Sequence, residues 1–478
     1  MRFFWLPSFV LALSSCGLLA PSSNTAPRGD SGQSNDAGSN ADAPMASRDD
    51  AGRDAGAKHC ISKGFAPAVS YPVALDPEWM IAIDRTSNGH LDLLVGDRAF
   101  LADGGESVAS VLLVNAGDGT FASNDAYGAA GNVVRNIVAA DFNGDGKLDL
   151  ASQWSDGPVD GTNVMAGKLG IDFGMDDGLF ASRLVTYSTP EANGALTVGD
   201  FNGDGHPDIA FAGYNEIEGP RFVTDSGAVA LPGTVPADFA LNVFLNRGDG
   251  TFGAPRTYPN QYWLQSTSIA TGDFGGDGYS DIAELTSPSS LTGGFGVFFN
   301  PGDGAFLNEA TFVASTTWIT YGLAVADFNG DGMDDVATTT SVHTNLSDQE
   351  NVLDVFMSAG GRKFGPPVSY DIPTLPNPYQ VLAADFNGDG KPDLAIAFNA
   401  NAMGDPLDPP EVVVFYNRGD GTFAPPVTYK VGGTNSPAIL AVAIGDFNGD
   451  GVSDIAVTIL GESPPYPESV AVLLSQCP

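Results

Sequence analysis

Basic residues are scarce in this sequence. The 478 residues include 20 Lys and Arg against 58 Asp and Glu, a formal net charge of −38. Nucleic acids and anionic membranes bind to basic surfaces, so this balance argues against both as partners. So much negative charge also repels itself in a compact fold, which favours a protein that binds cations.

Histidines and catalytic motifs are also few. The four histidines are His59, His90, His206 and His343. The sequence has no H-E-x-x-H pair, no G-x-S-x-G elbow and no Walker loop. The carboxylates are abundant and many belong to the repeated loops described below, so no acid–base pair stands out. These absences favour a binding protein over an enzyme, with a polysaccharide-active lyase or hydrolase as the alternative.

The apolar run that opens the chain is too short to span a membrane and is typical of a signal peptide. It ends in Leu13-Ser14-Ser15-Cys16, which resembles the lipobox of bacterial lipoproteins, where the signal is cleaved before the Cys and the thiol is lipidated. An ordinary signal peptide with an incidental Cys is the alternative. Gly17, not Asp, follows the Cys, so the inner-membrane retention signal is absent. We therefore expect an exported protein, anchored through Cys16 at the outer membrane or cell surface.

The next segment has almost no large apolar residue. Residues 17–59 are rich in Ser, Ala, Asp and Gly. Such a segment cannot bury enough surface to offset the entropy lost on ordering, so we expect a disordered tether. This division leaves residues 1–16 as the signal, 17–59 as the tether and 60–478 as the folded domain.

One unit recurs through the folded domain, and an acidic loop marks each copy. The seven loops start at Asp84, Asp141, Asp200, Asp273, Asp327, Asp385 and Asp446, at separations of 54 to 73 residues. In one copy, residues 379–384, 393–398, 411–417 and 423–429 have the composition of short strands. Pro425 and Pro426 suit an outer edge strand, because proline has no N–H to donate. Four antiparallel strands repeated seven times predict an all-β, seven-bladed propeller.

The two chain ends complement each other. The last copy has three strands, and "GFAPAVSYPV" from Gly64 closely matches "TFAPPVTYKV" from Thr422. We therefore expect the N-terminal strand to complete the last blade and to close the ring, which leaves no open sheet edge. When this seam is overlaid on an intact copy, Cys60 and Cys477 fall in one tight turn. We infer a disulfide between them, since two free thiols are unusual in an exported protein.

The acidic loops carry oxygen ligands at regular spacing. Positions 1, 3, 5 and 9 hold Asp or Asn, position 6 is always Gly, and position 7 can offer its carbonyl. This donor set suits Ca²⁺, whereas Mg²⁺ demands a tighter octahedron. The five complete sets are Asp141, Asn143, Asp145 and Asp149; Asp200, Asn202, Asp204 and Asp208; Asp327, Asn329, Asp331 and Asp335; Asp385, Asn387, Asp389 and Asp393; and Asp446, Asn448, Asp450 and Asp454. An EF-hand is excluded, because only Glu284 provides a glutamate at position 12 and no helix pattern follows the loops.

Two loops depart from this pattern. The first has Asp84, Thr86, Asn88 and Asp92, with two carboxylates instead of three, so weak or no metal binding is expected there. The fourth has Asp273, Asp277 and Asp281, with Gly275 at position 3, where a water would substitute. The fifth carries an extra Asp334 beside Asp335. We expect about five to seven Ca²⁺ ions, mainly structural, and seven would bring the charge of −38 to −24.

These units resemble FG-GAP/VCBS-type repeats, which form the seven-bladed propeller of integrin α subunits and occur in many secreted bacterial proteins. The resemblance covers about residues 60–477 through the seven "DxNxDGxxD" loops, of which the first and fourth deviate. It implies that the loop between the first two strands of a blade binds Ca²⁺ on one face of the disc. It also implies that ligands bind at the opposite face or at the rim.

The connections on the face opposite the metal loops vary most in length. The insertions lie at about residues 213–239, 341–351, 399–410 and 461–468. Variable loops on a rigid scaffold are the usual place for binding. The candidate ligand-binding aromatic residues near this face are Trp79, Trp154, Tyr262, Trp263, Trp318 and Tyr379. Packing of these rings between blades is the alternative.

The sequence thus predicts a monomeric, calcium-stabilised propeller tethered to a bacterial envelope. Its predicted role is non-enzymatic recognition or adhesion, with a protein or a glycan as ligand. A scaffold within an envelope complex is a further alternative.

Overall fold

The structure is a computed structural model of the chain. It describes residues 64–73, 77–97, 99–100, 106–107, 110–127, 133–158, 165–181, 185–189, 195–214, 223–224, 227–228, 239–259, 268–289, 292–307, 310–315, 319–345, 348–373, 378–398, 409–432, 439–460 and 468–476. In this part of the chain no helix is long and apolar enough to cross a bilayer.

The regular structure of these residues is β-strand. The first sixteen strands are β1 (Val69–Pro72), β2 (Pro77–Ile83), β3 (Asp92–Asp97), β4 (Ala99–Phe100), β5 (Glu106–Ser107), β6 (Ser110–Asn115), β7 (Phe121–Tyr127), β8 (Val133–Ala140), β9 (Asp149–Pro158), β10 (Met165–Asp172), β11 (Val185–Thr189), β12 (Ala195–Gly199), β13 (Asp208–Tyr214), β14 (Val223–Thr224), β15 (Gly227–Ala228) and β16 (Phe239–Phe244). The remaining strands are β17 (Arg256–Pro259), β18 (Ile269–Gly272), β19 (Asp281–Ser289), β20 (Thr292–Phe298), β21 (Ala310–Ser315), β22 (Ile319–Ala326), β23 (Asp335–Asn345), β24 (Asp348–Phe356), β25 (Val368–Ile372), β26 (Pro378–Ala384), β27 (Asp393–Phe398), β28 (Glu411–Phe415), β29 (Val427–Lys430), β30 (Val442–Gly445), β31 (Asp454–Ile459) and β32 (Ser469–Leu473).

These strands form seven four-stranded antiparallel sheets, and the chain is a seven-bladed β-propeller. In order around the ring, blades 1 to 7 are β2-β3-β6-β7, β8-β9-β10-β11, β12-β13-β16-β17, β18-β19-β20-β21, β22-β23-β24-β25, β26-β27-β28-β29 and β30-β31-β32-β1. Two small hairpins, β4-β5 and β14-β15, lie within connections between second and third strands. The predicted fold class is confirmed.

The N-terminal strand completes blade 7, as the matching ends of the sequence predict. β1 pairs antiparallel with β32 in a register that places Val69 opposite Val472 and Pro72 opposite Ser469. The N–H of Gln476 donates to the carbonyl of Gly64 at 2.9 Å. The equivalent bond in blade 6, from Arg418 to Thr422, measures 2.8 Å, so the seam reproduces the turn of an intact blade.

The core lies between consecutive blades. The described residues form seven buried apolar clusters, each shared by two neighbouring blades. The second strands have both faces against a neighbour, and for this reason every residue of β27 and β31 is buried. The outer strands alternate instead, as in β29, where Tyr429 is the half-buried residue among exposed ones.

The outer tyrosines connect neighbouring blades at the rim. Tyr258 of blade 3 donates its hydroxyl to the carbonyl of Gly304 in blade 4 at 3.0 Å. Tyr71 of β1 makes the corresponding bond to Gly119 of blade 1 at 3.3 Å. Tyr71 therefore joins blade 7 to blade 1 by the same hydrogen bond that Tyr258 makes between blades 3 and 4.

Two sequence predictions about local structure need correction. The outer strand of blade 6 begins at Val427, after Pro425 and Pro426 and not at Phe423, because a ladder cannot use residues without an N–H. Within the predicted insertion at 341–351, residues 341–345 and 348–351 are strand and not loop. They extend β23 and β24 into a longer hairpin in which His343 pairs with Gln349.

Candidate metal centres

Each acidic loop begins with an Asp whose carboxylate is surrounded by the backbone of the same loop. In blade 2, Asp141 accepts N–H bonds from Gly144, Asp145 and Gly146 at 2.7, 3.1 and 2.8 Å. Gly144 and Gly146 have φ of 74° and 85°, which glycine adopts without strain. The two glycines therefore let three successive N–H groups converge on one carboxylate.

The middle of the loop holds its side-chain oxygens by single backbone bonds. Asn143 Oδ1 accepts the N–H of Asp145 at 2.9 Å, and Asp145 Oδ1 accepts the N–H of Lys147 at 3.0 Å. These are Asx turns, in which a side chain takes the place of a backbone carbonyl. Each oxygen keeps lone-pair capacity for a cation after this bond.

The ninth residue fastens the loop to the third strand of its blade. Asp149 Oδ2 accepts the N–H of Phe142 at 2.9 Å, and Oδ1 accepts the N–H of Gly174 at 2.8 Å. All seven blades repeat the Oδ1 bond, with Asn115, Gly174, Asn246, Asn300, Ser358, Asn417 and Ser475 as donors. The position-9 carboxylate is therefore the structural centre of each loop as well as a candidate ligand.

Burial raises the pKa of these position-9 carboxyl groups. The value is about 6 for Asp149. It is about 7 for Asp208, Asp281, Asp335, Asp393 and Asp454. Neighbouring carboxylates of the same loop raise the pKa further, while the backbone N–H bonds lower it. A hard divalent cation would favour the ionised forms, so the donor chemistry of these six loops fits Ca²⁺.

The structure does not by itself present a converged metal site. Within the described ranges, no three His, Cys, Asp or Glu side chains come together closely enough to hold an ion. The carboxylates are instead occupied by the backbone bonds given above. The ligand sets named from the sequence therefore stay predictions, and the structure adds the positions from which each oxygen would act.

The loop of blade 1 differs in its electrostatics. Position 2 holds Arg85 where the other loops have Phe, and its Nε lies 2.7 Å from Asp92 Oδ2 in an ion pair. Burial raises the pKa of Asp92, while the N–H of Asn115 and the charge of Arg85 lower it. Ser87, at position 4, adopts φ of 52° where the other loops have Gly. The donor chemistry of this loop does not fit Ca²⁺ as the others do.

The loops of blades 4 and 5 are joined directly. Asp334 Oδ2 accepts the N–H of Asp273 at 2.8 Å, and the N–H of Asp334 donates to the carbonyl of Asp273 at 3.0 Å. Asp335 occupies position 9 of its own loop. The extra carboxylate of blade 5 therefore serves the boundary with blade 4, where Gly275 provides no side-chain oxygen.

An asparagine missed by the sequence analysis bridges consecutive loops. Asn246 of blade 3 donates its Nδ2 hydrogens to the carbonyls of Phe142 in blade 2 (2.8 Å) and Pro207 in its own loop (3.0 Å). The members of this set are Asn115, Asn246, Asn300 and Asn417, and Ser358 makes the inter-blade bond in blade 5. The repeated "NxGDGTF" motif contains the signal, because its Asn recurs at a fixed distance before the turn.

Aromatic rings accompany these bridges. The Phe at position 2 of one loop packs against the Phe that ends the "GDGTF" turn of the next blade, as Phe142 does with Phe252 at a centroid distance of 5.7 Å. The outer Tyr187 completes the group, 5.9 Å from Phe252. Such edge-to-face contacts stabilise beyond the area they bury. The same Phe–Phe contact recurs for Phe447–Phe121, Phe201–Phe306, Phe274–Phe364, Phe328–Phe423 and Phe386–Phe65.

The candidate ligand-binding aromatic residues fall into three groups. Trp79 is buried, 8% exposed, and its indole lies against Gly96, which favours packing between blades for this ring. Trp154 lies on β9, and Tyr379 lies at a bulge of β26 between Pro378 and Gln380. Tyr262, Trp263 and Trp318 lie outside the described residues, as do Cys16, Cys60 and Cys477.

Two family models match the chain. The FG-GAP-like repeat matches residues 84–152, 287–338, 344–396 and 400–457, and the FG-GAP repeat matches residues 192–231. Together they cover more than half of the sequence. The chain is an FG-GAP repeat protein. FG-GAP repeats commonly bind Ca²⁺, in agreement with the acidic loops.

The curated relatives of this FG-GAP protein are distant integrin α chains. Integrin alpha-PS3 of Drosophila melanogaster is 36% identical over 80 residues, which is 16% of this chain and 7% of the relative. Integrin alpha-PS5 of the same organism is 36% identical over 81 residues, 16% of this chain and 8% of the relative. The match thus spans less than a tenth of either integrin chain.

Solved structures that resemble the chain do so weakly. A mutant of the NanB sialidase from Streptococcus pneumoniae gives a TM-score of 0.39 at 12% identity over 87% of this chain and 68% of that chain. NanB plus Optactamide gives 0.39 at 11% identity, with the same coverage. Likeness at this level says nothing about the activity of the FG-GAP protein.

Proposed function

We propose that this FG-GAP protein is a calcium-stabilised recognition or adhesion propeller, anchored to the bacterial envelope through a lipidated Cys16. Its ligand is a protein or a glycan, bound through the connections opposite the acidic loops. The protein acts as a monomer, without catalysis and without nucleic acid.

One observation supports a non-catalytic role above the rest. The loop carboxylates are engaged by backbone N–H groups, three on Asp141 and three on Asp149, two of them on Oδ2 and one on Oδ1. A general acid or base must reach a substrate proton, and carboxylates turned into their own loop by these bonds are poorly placed for that, although lone pairs remain for a cation. The described carboxylates of the loops therefore serve to fix the scaffold.

The rigid ring supports the binding role. Every blade is joined to the next through a buried apolar cluster. On the face of the acidic loops, the Asn and Ser side chains described above also bond one blade to the preceding one. The connections between second and third strands, and between fourth and first strands, emerge at the other face because the strands are antiparallel. Variable connections on a fixed scaffold can differ in specificity without a change of fold.

The test is a binding screen with the full mature chain. The protein is presented to a glycan array and to envelope proteins of the bacterium that produces it. Each experiment is done once with millimolar Ca²⁺ and once with chelator. Calcium-dependent retention without release of product supports the proposal. Depolymerisation of a polysaccharide by the purified protein, lost when carboxylates outside the acidic loops are changed to amides, overturns it in favour of an enzyme. Stable co-purification with a fixed set of envelope subunits identifies a scaffold instead.

The anchor is tested separately. Metabolic labelling with a palmitate analogue should mark the wild-type chain and not the variant Cys16→Ser. Protease digestion of intact cells then reports whether the propeller faces outward. An unlabelled wild-type chain in soluble fractions overturns the anchor but leaves the recognition role to be judged by the screen.

A further inference from the structure

The first loop of the ring differs from the others at its second residue. Position 2 is a buried Phe in six loops, namely Phe142, Phe201, Phe274, Phe328, Phe386 and Phe447. Blade 1 has Arg85 at this position. A cation thus replaces an aromatic ring at a place that is otherwise apolar.

Arg85 takes up a defined position beside the central carboxylate of its loop. Its Nε lies 2.7 Å from Asp92 Oδ2, and the two side chains are 15% and 6% exposed. The other oxygen of Asp92 accepts the N–H of Asn115 at 2.8 Å, as in every other blade. The guanidinium therefore faces the oxygen that, in the other six loops, accepts the N–H of the position-2 Phe.

The same side chain reaches the next blade. Arg85 Nη1 donates to the carbonyl of Gly178 in blade 2 at 3.4 Å. A Cβ on Gly178 would lie 2.5 Å from that nitrogen, so the turn of blade 2 sits directly on the guanidinium. At other boundaries the equivalent glycine lies against an apolar side chain of the preceding blade, Phe173 for Gly250 and Met357 for Gly421, and the position-2 Phe makes the Phe–Phe contact. Arg85 thus makes a polar contact where its counterparts make an aromatic one.

Two of the four side-chain ligand positions of this loop also differ from those of the five complete loops. Thr86 stands for the usual Asn, and Asn88 for the usual Asp, so two carboxylates remain, Asp84 and Asp92. The backbone still folds in the common way, with Asp84 accepting the N–H groups of Asn88 (3.0 Å) and Gly89 (2.7 Å). Two carboxylates and one fixed guanidinium leave little net charge for a divalent ion to neutralise.

We infer that Arg85 is a built-in cation that replaces both the calcium ion and the interlocking Phe of the other blades. The loop of residues 84–92 takes no Ca²⁺, and the ring binds at most six ions. Blade 1 keeps its loop closed and its contact with blade 2 when calcium is removed. This inference rests on the proposed calcium role for the other loops.

The test restores the metal ligands with and without the arginine. The double variant Thr86→Asn/Asn88→Asp gives the loop a full ligand set while Arg85 remains. The triple variant adds Arg85→Phe. Bound calcium per chain is measured by equilibrium dialysis and elemental analysis, and folding is verified by circular dichroism. We expect the double variant to match wild type and the triple variant to bind one ion more.

Several results would overturn the inference. They are seven ions bound to wild type, an extra ion bound to the double variant, or a folded triple variant without an extra ion. A crystal of wild type grown with Ca²⁺ is the second readout, should the triple variant fail to fold. Density for an ion within residues 84–92 would exclude Arg85 as its replacement.

A metal-free measurement separates this inference from the proposed calcium role. In chelator, Arg85→Gln should lower the melting temperature, whereas Lys363→Gln, an exposed cation on the same face, should not. Equal melting of the two variants overturns the role of Arg85. If wild type binds no calcium at all, the proposed calcium role fails, while the melting comparison still decides what Arg85 does.

Discussion

Asn115 donates its side-chain N–H to the carbonyl of Phe447 at 2.8 Å, although 332 residues separate the two in sequence. The bond joins blade 1 to blade 7 across the seam. It repeats the contact by which Asn246 joins blade 3 to blade 2. Closure of the ring therefore relies on side chains of the repeat as well as on the β1–β32 ladder.

Removal of this amide should loosen the seam. Asn115→Ala leaves the buried carbonyl of Phe447 and the part-buried carbonyl of Leu91 without their donor. An unsatisfied buried group costs about 1–3 kcal/mol, so we expect a loss of roughly 2–4 kcal/mol in the free energy of unfolding. Urea unfolding followed by tryptophan fluorescence measures it. Thr120→Ala, an exposed change in the adjacent turn, is the control, and equal stability of the two variants would contradict the bridge.

The metal-free protein should be more stable in mild acid than in mild base. Burial raises the folded-state pKa of five position-9 carboxyl groups to about 7 and that of Asp149 to about 6. A raised folded pKa contributes stability that is complete below the unfolded value near 4 and is lost as pH rises through 6–7. In chelator, the melting temperature should therefore fall between pH 5 and pH 8.

Calcium should reverse this trend. The ion binds the ionised carboxylates, so protons compete with it and the loaded protein should lose stability as pH falls. Thermal melting at pH 5, 6, 7 and 8, with Ca²⁺ and with chelator, gives both curves. If the melting temperature changes with pH in the same way with Ca²⁺ and with chelator, the position-9 carboxylates do not bind the ion.

A single loop carboxylate should account for a single ion. Asp389→Asn removes position 5 of the blade 6 loop, and we expect one bound Ca²⁺ fewer and a lower melting temperature in calcium. Asp420→Asn is the matched control, because this exposed Asp lies in the neighbouring turn and accepts bonds from Thr422. The control loses the same charge without a change in stoichiometry. Loss of an ion from both variants would reassign the site to the turn.

The seam disulfide remains a prediction, since Cys60 and Cys477 lie outside the described residues. The bond between Gln476 and Gly64 gives this part of the seam the geometry of an ordinary turn, which supports the disulfide. A crosslink closing so long a loop contributes on the order of 4–5 kcal/mol in the chain-entropy model. Without reductant, a maleimide should label neither thiol, and Cys60→Ser/Cys477→Ser should melt lower. Quantitative labelling of native protein would exclude the bond.

The sequence predicted the blades because the loops repeat with fixed internal spacing, and it predicted the seam because "FAPAVSY" matches "FAPPVTY". The strand residues 341–345 and 348–351 escaped prediction, because such polar segments look like a loop until they pair. Arg85 and Asn246 escaped for another reason. Their roles depend on a carboxylate or carbonyl in a place that only the folded ring defines.

The pairing of β1 with β32 has a consequence during synthesis. The ribosome produces β1 before the other strands of the ring and β32 after them, so β1 has no partner until all seven blades have been synthesised. Any nascent chain that stops early keeps a bare edge at one end and an unfilled flank at the other. A chain that stops before β32 therefore exposes strand edges that the closed ring covers.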